Sequence, residues 1–413
     1  MTGRAPPGAP RAIPARGLRR RGRWLATALA ASLLMACGGG IDLAGGVGSG
    51  GSGLAEGTIT GFASVIVDGV RYDDSAAQAR VRGEDDQLTA TTLHLGQRVR
   101  LDLDDAGKAR AIEVLPQLRG PVTQARAGDV LRVAGQWVRV DADTVFADEA
   151  AQTALGAGDA EVEVHGQWVP DDTRGTVLAA TLVLAVAAVP ADAPVLVGGV
   201  VQAVDGRTVT LGLAGGTRLS IPPAQTLPVV GDVLTGWVSR DALTDVDPWP
   251  VRRQRQTPTV DDGVTLVVGG AVRSSEGGRV RVQGLDLTWP DGSGAVGALA
   301  LPPQRGEFVQ LTLRRVAGAW VVQGAARRDA PEQLGGRVEL RARLSGIDWS
   351  AQPLVLTLRG VRVVVPADML ADSTCADFGA APVDVEVEAA RGVLPVRALA
   401  LKCAAPVLPG SGS

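Results

Sequence analysis

The chain is short of the side chains that carry most enzyme chemistry. It has two histidines and three cysteines, and aromatic residues make up only 3% of it. His94 and His165 with one spare cysteine pair do not supply the nitrogen and sulfur set of a structural zinc site. No G-x-S-x-G, H-E-x-x-H or phosphate-loop pattern occurs. With a formal net charge of −3, the chain lacks the basic footprint of a nucleic-acid binder. No uncharged run reaches the ~20 residues that span a bilayer as a helix. Helical periodicity is absent except for a short alanine-rich stretch, Phe146 to Leu155. These absences predict no catalytic residue, no metal, no cofactor and no nucleic-acid partner.

Several local patterns imitate sites and have simpler readings. Gly46-Val47-Gly48-Ser49-Gly50-Gly51 fits G-x-G-x-x-G, but no strand precedes it and no helix follows. Asp102, Asp104, Gly107 and Glu113 have EF-hand spacing, yet valine and leucine alternate around them, so a hairpin with charged tips is expected. The pairs Glu161/Glu163 and Glu386/Glu388 alternate with valine and read as solvated strand faces. His94, in Leu-His-Leu, is expected to face water or an interface. His165 is expected to end a strand before a glycine turn.

What the chain has in plenty is glycine, valine, alanine and leucine. The N-terminus carries Arg19, Arg20, Arg21 and Arg23, then an uncharged run from Trp24 to Met35. This is the layout of a removable export signal. It ends in Leu34-Met35-Ala36-Cys37, which resembles the lipobox of bacterial lipoproteins. That resemblance implies cleavage between Ala36 and Cys37, lipidation of Cys37, and a membrane anchor made of acyl chains. Gly38, in place of an aspartate, favours the outer membrane. Residues 1–36 therefore read as a signal peptide and 37–56 as a Gly/Ser-rich tether.

Beyond the tether, valine alternation broken by glycine turns predicts β structure. A loose plan recurs: a start glycine, a hairpin, a middle stretch, a glycine with alternating valines, and a closing strand. Start glycines are Gly57, Gly120, Gly199 and Gly270, and the last copy is the least regular. Turns are expected at Asp68-Gly69, Asp205-Gly206 and Glu276-Gly277-Gly278. Each copy takes roughly 60–80 residues, which suits a small closed barrel better than a solenoid rung. The expected units are 57–116, 117–190, 195–256, 266–330 and 332–405. The proline-rich segment Asp245 to Pro250 is expected to be loop or linker. The expected fold class is all-β: tandem small OB-like barrels behind a lipidated flexible tether.

Gly57-Thr58-Ile59-Thr60-Gly61-Phe62-Ala63-Ser64-Val65-Ile66-Val67-Asp68-Gly69-Val70 is similar to the opening of the bacterial domain-of-unknown-function family 5666. The match is good for the first unit and weak for the others. The resemblance implies an envelope lipoprotein built of tandem small β-barrels. It implies no catalytic residues.

Cys375 and Cys403 form an even pair in an exported chain, which suggests a disulfide; two separate thiols are the alternative. Closing a loop of that length contributes ~3–4 kcal/mol through chain entropy. Trp137, Trp168, Trp237, Trp289, Trp320 and Trp349 fall about one to a unit, and a core role is expected for most. Trp137 and Trp168 each follow Gly-Gln, which suggests equivalent positions on successive hairpins and a possible ligand platform. The function expected is that of a non-enzymatic binding or scaffold protein contacting envelope proteins. Carbohydrate or cell-wall binding through exposed tryptophans is the alternative, and a hydrolytic enzyme is third.

Overall fold

In each repeat, buried and half-exposed residues alternate along strands that curl until the last meets the third. A computed structural model describes residues 53–404, apart from short internal stretches of which 291–298, 328–336 and 376–383 are the longest. The signal peptide, Ala36, Cys37 and Trp349 lie outside the described residues. The described residues are nearly all β, in five small barrels.

The second barrel shows the plan. Its strands are Leu118–Ala127, Val130–Val133, Gln136–Arg139, Glu161–Asp171 and Gly175–Ala185. The first pairs antiparallel with the second, and the second with the third. The third then pairs in parallel with the fifth. The fifth returns antiparallel to the fourth, and the fourth to the first. This order, 1-2-3-5-4-1, closes a five-stranded barrel of OB type. The short helix Glu149–Ala154 sits between the third and fourth strands, and the Asp148 carboxylate accepts the Ala151 N–H at its start.

The parallel closure recurs in the other four, at Gln78–Val81 with Ala111–Val114, Leu219 with Trp249, Leu287 with Trp320, and Val363 with Val396. So do two bulges. Each first strand slips register against its second, at Ile59/Gly61, Val122/Gln124, Val201/Ala203, Val272/Ser274 and Leu344/Gly346. Each fourth strand slips against its fifth, at Asp102/Leu103, His165/Gly166, Trp237/Val238, Thr312/Leu313 and Glu388/Ala389. Bulges bend a strand and sharpen its twist, which is how so few strands close a cylinder.

The start glycines stand two places before the first bulge. The fifth barrel has Ala342 there, which is why its start is hard to see. A Cβ on Gly57 would collide with the Asp68 carboxylate and Val67. A Cβ on Gly120 would press on Val195 and Ala134 at 3.1–3.2 Å.

Two expectations need correction. The stretch read as tether up to residue 56 is already strand from Gly53: Gly53–Glu56 pair with Thr265–Val268 on one edge and with Arg100–Leu103 on the other. The segment read as linker contains the closing strand of the third barrel, Trp249–Gln254. Its Pro250 stands at the second place of that strand, where the missing N–H does not interrupt the antiparallel ladder that begins at Val251. The three expected turns all form, at two different places in the plan. Asp68-Gly69 joins second to third strand, whereas Asp205-Gly206 and Glu276–Gly278 join first to second. Asp68 and Gly69 both have positive φ, 48° and 80°, as a tight hairpin turn requires.

The barrels are not beads. The first strand of the first barrel, Gly53–Phe62, pairs in parallel with the first strand of the fourth barrel and, past its bulge, with Glu339–Leu340 of the fifth. The second and third barrels share a separate ladder through Arg119 and Leu196. The first and fifth barrels share one apolar core, and the others each have their own. Cys375 and Cys403 are joined by a disulfide in the fifth barrel, with Cα atoms 5.1 Å apart.

Glu56 lies on the shared strand. It receives Arg98 and Arg100, each at 2.9 Å, and Arg98 is 2% exposed. Burial alone would raise the Glu56 carboxyl, but the two guanidiniums outweigh it and hold its pKa near about 2, against an ordinary 4.5. The folded value is the lower one. The stabilisation is therefore full above pH 4.5 and is lost as pH falls toward 2, and it amounts to about 3 kcal/mol. Glu56→Gln is expected to lower the melting temperature clearly at pH 7, with the gap to wild type closing between pH 4.5 and 2. A gap that does not change with pH would show that the carboxylate charge is not what holds the seam.

Candidate functional site

The second barrel presents its second and third strands, the turn between its first and second, and the turn between its fourth and fifth on one side. In OB folds that face takes oligonucleotides and oligosaccharides. Arg132 projects from the second strand and Trp137 from the third. Arg174 comes from the turn between fourth and fifth, where Asp171 accepts the N–H groups of Thr173 and Arg174. The guanidiniums of Arg132 and Arg174 lie 4.1 and 4.8 Å from the Trp137 ring centroid. A cation over an indole face is stabilised by the ring quadrupole. The same contact holds two positive charges on the barrel wall.

The third barrel forms the opposite wall. Between them lies a cleft of about 690 Å³, lined by Trp137, Trp168, Arg132 and Arg174 from one barrel and by Arg218 and Trp249 from the other. Its size is in the range of small-ligand sites. Gln136 bridges the walls through the Thr217 hydroxyl, at 2.6 Å. Arg218 is paired with Asp247 at 3.0 Å. Arg132 has no ion pair among the described residues, and its Nε is buried without a hydrogen-bond partner, as is Nε of Arg174. Buried donors of this kind are costly unless something accepts from them.

The two tryptophans named from the sequence thus meet in one cleft, but not as equivalents. Gly135, before Trp137, is a hairpin-turn residue with φ +78°, whereas Gly166, before Trp168, is the second residue of a bulge. Trp137 faces outward under its arginines. Trp168 is 4% exposed and belongs to the barrel core. Trp289 and Trp320 are core residues of the fourth barrel. Trp237 lies in the third barrel and lines a different cavity. Trp249 was hidden by its prolines, since a segment read as linker offers no reason to place an indole.

The histidines lie at the junction of the first and second barrels. His165 is not at a strand end. It sits within Glu161–Asp171, fully buried, at the bulge. The Arg98 backbone N–H donates to its Nδ1 at 3.3 Å, so Nε2 carries the proton and donates to Glu163 at 3.0 Å. Burial pushes the Glu163 carboxyl up, but His165, through its hydrogen bond and its field, together with the Arg119 and Arg255 charges outweighs it and leaves the group below its ordinary range. Glu163 is therefore a seam residue rather than part of a solvated face, and Glu161 pairs with Arg240 of the third barrel. His94 is half-buried; its Nε2 lies 3.1 Å from the Thr92 hydroxyl, and burial lowers its pKa, as does His165 nearby. A reacting pair needs access for substrate, and His165 has none.

The EF-hand-like spacing resolves into ion pairs: Asp102 with Arg110, Glu113 with Arg82, while Asp104 accepts the N–H groups of Ala106 and Lys108. Among the described residues there is no group of three or more His, Cys, Asp or Glu side chains that could hold a metal ion.

Residues 119–181 match the family described as Domain of unknown function (DUF5666). The match covers the second barrel, whereas the sequence resemblance is plainest in the first; both follow the same five-strand plan. No curated protein matches. Two solved structures are similar. Three cold-shock domains of Drosophila Unr, 12% identical, align over 51% of this chain and 99% of theirs, with a TM-score of 0.16. A multidomain protein with nucleic acid binding domains from Streptococcus pneumoniae, 11% identical, aligns over 49% and 72%, with a TM-score of 0.12. Scores so low carry no weight, and the OB assignment rests on the strand pairing.

If Trp168 is core and Trp137 is cleft wall, their removal should differ. Trp168→Ala is expected to cost about 3–5 kcal/mol in denaturant unfolding. Trp137→Ala, which loses mainly cation–π contacts, is expected to cost about 1 kcal/mol. Equal costs would contradict the division.

Proposed function

We propose that this protein is a non-enzymatic binding protein of the cell envelope, held to the outer membrane by a lipid on Cys37, whose second and third barrels together take an acidic oligosaccharide. What carries the reading is the cleft. Trp137, Trp168 and Trp249 converge there with Arg132 and Arg174, on the face that OB folds use for oligomeric ligands. The fold supplies only an analogy; the side chains supply the chemistry. Indole faces suit the apolar faces of sugar rings, and the half-buried Trp249 is the one placed to stack on a sugar, with Trp137 and Trp168 shaping the wall. Guanidiniums with unused buried donors suit carboxylate or phosphate groups, which they hold in bidentate fashion. Neutral sugar is the poorer fit, because the Trp137 face is already covered by cations. A saccharide is preferred over nucleic acid because the chain as a whole is slightly acidic. The matched family is one of unknown function and supplies no catalytic residues.

The test of the cleft is titration of the purified protein with an oligogalacturonate and, in parallel, a neutral cello-oligosaccharide. Saturable binding of the acidic probe is expected, weakened at least fivefold by Arg132→Gln and by Trp137→Ala, with the neutral probe much weaker. Absence of binding at millimolar probe, or equal binding by both variants, would overturn the reading. The anchor is tested separately: palmitate labelling of the expressed protein should disappear in Cys37→Ala, and persistent labelling would refute attachment at that residue.

A further inference from the structure

A second cavity, of about 520 Å³, lies between the first and third barrels. Its lining is unusual in charge. Arg80, Arg82 and Arg100 of the first barrel meet Arg253 and Arg255 of the third, with Trp237 and Leu54 as apolar surface. The acids nearby are already engaged. Glu113 is held by Arg82 at 3.0 Å and by Arg100 at 3.7 Å, and Asp86 by Arg82 at 3.2 Å and by Arg253 at 2.9 Å. Asp102 is paired with Arg110. Glu56 is shared by Arg98 and Arg100.

Arg255 is left over. It follows the closing strand of the third barrel, fixed there by its N–H on the Thr235 carbonyl. Its guanidinium makes no ion pair or side-chain hydrogen bond among the described residues. Burial and the neighbouring Arg100 charge push its pKa down to about 10, against the more distant pull of Glu113, Glu56 and Glu163. The side chain is half-buried and lines the cavity, so its five N–H donors can be offered to a ligand there.

We infer that this cavity is a binding site for a small oxyanion, a carboxylate or phosphate group carried on a compact body that packs against Trp237. Arg255 and Arg80 grip the anion from the two barrels, and Arg100 adds charge from the floor. The site is distinct from the tryptophan cleft: both draw on the closing strand of the third barrel, at Trp249 for the cleft and at Arg253–Gln254 here, but the cleft is completed by the second barrel and this cavity by the first. Occupancy ties the first barrel to the third at a junction otherwise made by exposed pairs such as Arg253–Asp86 and Arg252–Glu84.

The test is thermal melting and tryptophan fluorescence of the purified protein titrated with sodium pyrophosphate in one arm and sodium citrate in the other, each matched for ionic strength with sodium chloride. At least one anion is expected to raise the melting temperature by several degrees beyond the chloride control and to bind with a Kd below millimolar. Arg255→Gln is expected to weaken that binding at least tenfold. Arg80→Gln, at an exposed position that does not threaten folding, is expected to weaken it at least threefold. Arg132→Gln, in the other cleft, should leave it unchanged. The arm that responds identifies phosphate or carboxylate as the preferred group. No stabilisation by either anion beyond chloride, or binding unaffected by both Arg255→Gln and Arg80→Gln, overturns the inference.

Discussion

The arrangement of this chain depends on one strand having two free edges that change partners along its length. Gly53–Phe62 gives its N-terminal half to the fourth strand of its own barrel on one side and to the fourth barrel on the other. The bulge at Ile59/Gly61 then turns it, and its C-terminal half pairs with its own second strand and with the fifth barrel. Backbone hydrogen bonds are directional and leave little freedom of register once one face is buried. A single strand therefore fixes three barrels together. Gly57 and Gly61 are small because the approach is close: a side chain on Gly61 would collide with the Glu339 carbonyl.

This explains why a chain so rich in apolar residues uses charge between its barrels. Each barrel is small, and valine and leucine are consumed in filling it. Beside the apolar core that the first and fifth barrels share, the junctions carry arginine–carboxylate pairs: Arg71 with Glu339, Arg359 with Asp74, Arg240 with Glu161, Arg281 with Asp232. An exposed pair such as Arg71–Glu339 contributes little, because its attraction is screened by water and salt, while the other three are partly buried. They select orientation, while the shared ladder and the buried Glu56 seam supply cohesion. Both cavities lie at such charged junctions. Where two curved walls meet through arginines, a gap with unused donors is the natural result.

The β class and the small-barrel plan were legible in the sequence because valine alternation and glycine spacing act locally. Start glycines marked four of five barrels, and at Gly57, Gly120 and Gly199 the reason is physical, since a Cβ there would press on a neighbouring segment. Ala342 is small enough to serve the same purpose and gave no signal. The closing strand at Trp249 was illegible because proline argues against a strand unless its N–H direction is known, and that depends on the partner. His165 and Glu163 were misread for a related reason. Alternation assigns residues to one face or the other but cannot say that both faces are covered, and here the second barrel's fourth strand is enclosed by the first barrel.

Clefts between barrels are the least legible feature of all, because they are made from residues of different barrels, such as Trp137 and Trp249. Arg132 and Arg174 belong to one barrel and show only as surface arginines in sequence; their meaning comes from Trp137 beneath them and Trp249 across from them. The repeated fold makes this possible without new architecture. Five copies of one barrel give five versions of the same face, and small changes at the bulges and turns decide which faces are sealed. In the first barrel the closing strand Gln78–Arg82 gains an added partner, Leu88–Ala90, and its arginines line the second cavity. The second barrel keeps a short turn at Ala134-Gly135 beside the tryptophan cleft. One plan thus serves both sites, and the strand added after the third decides which side chains a barrel offers at its junction.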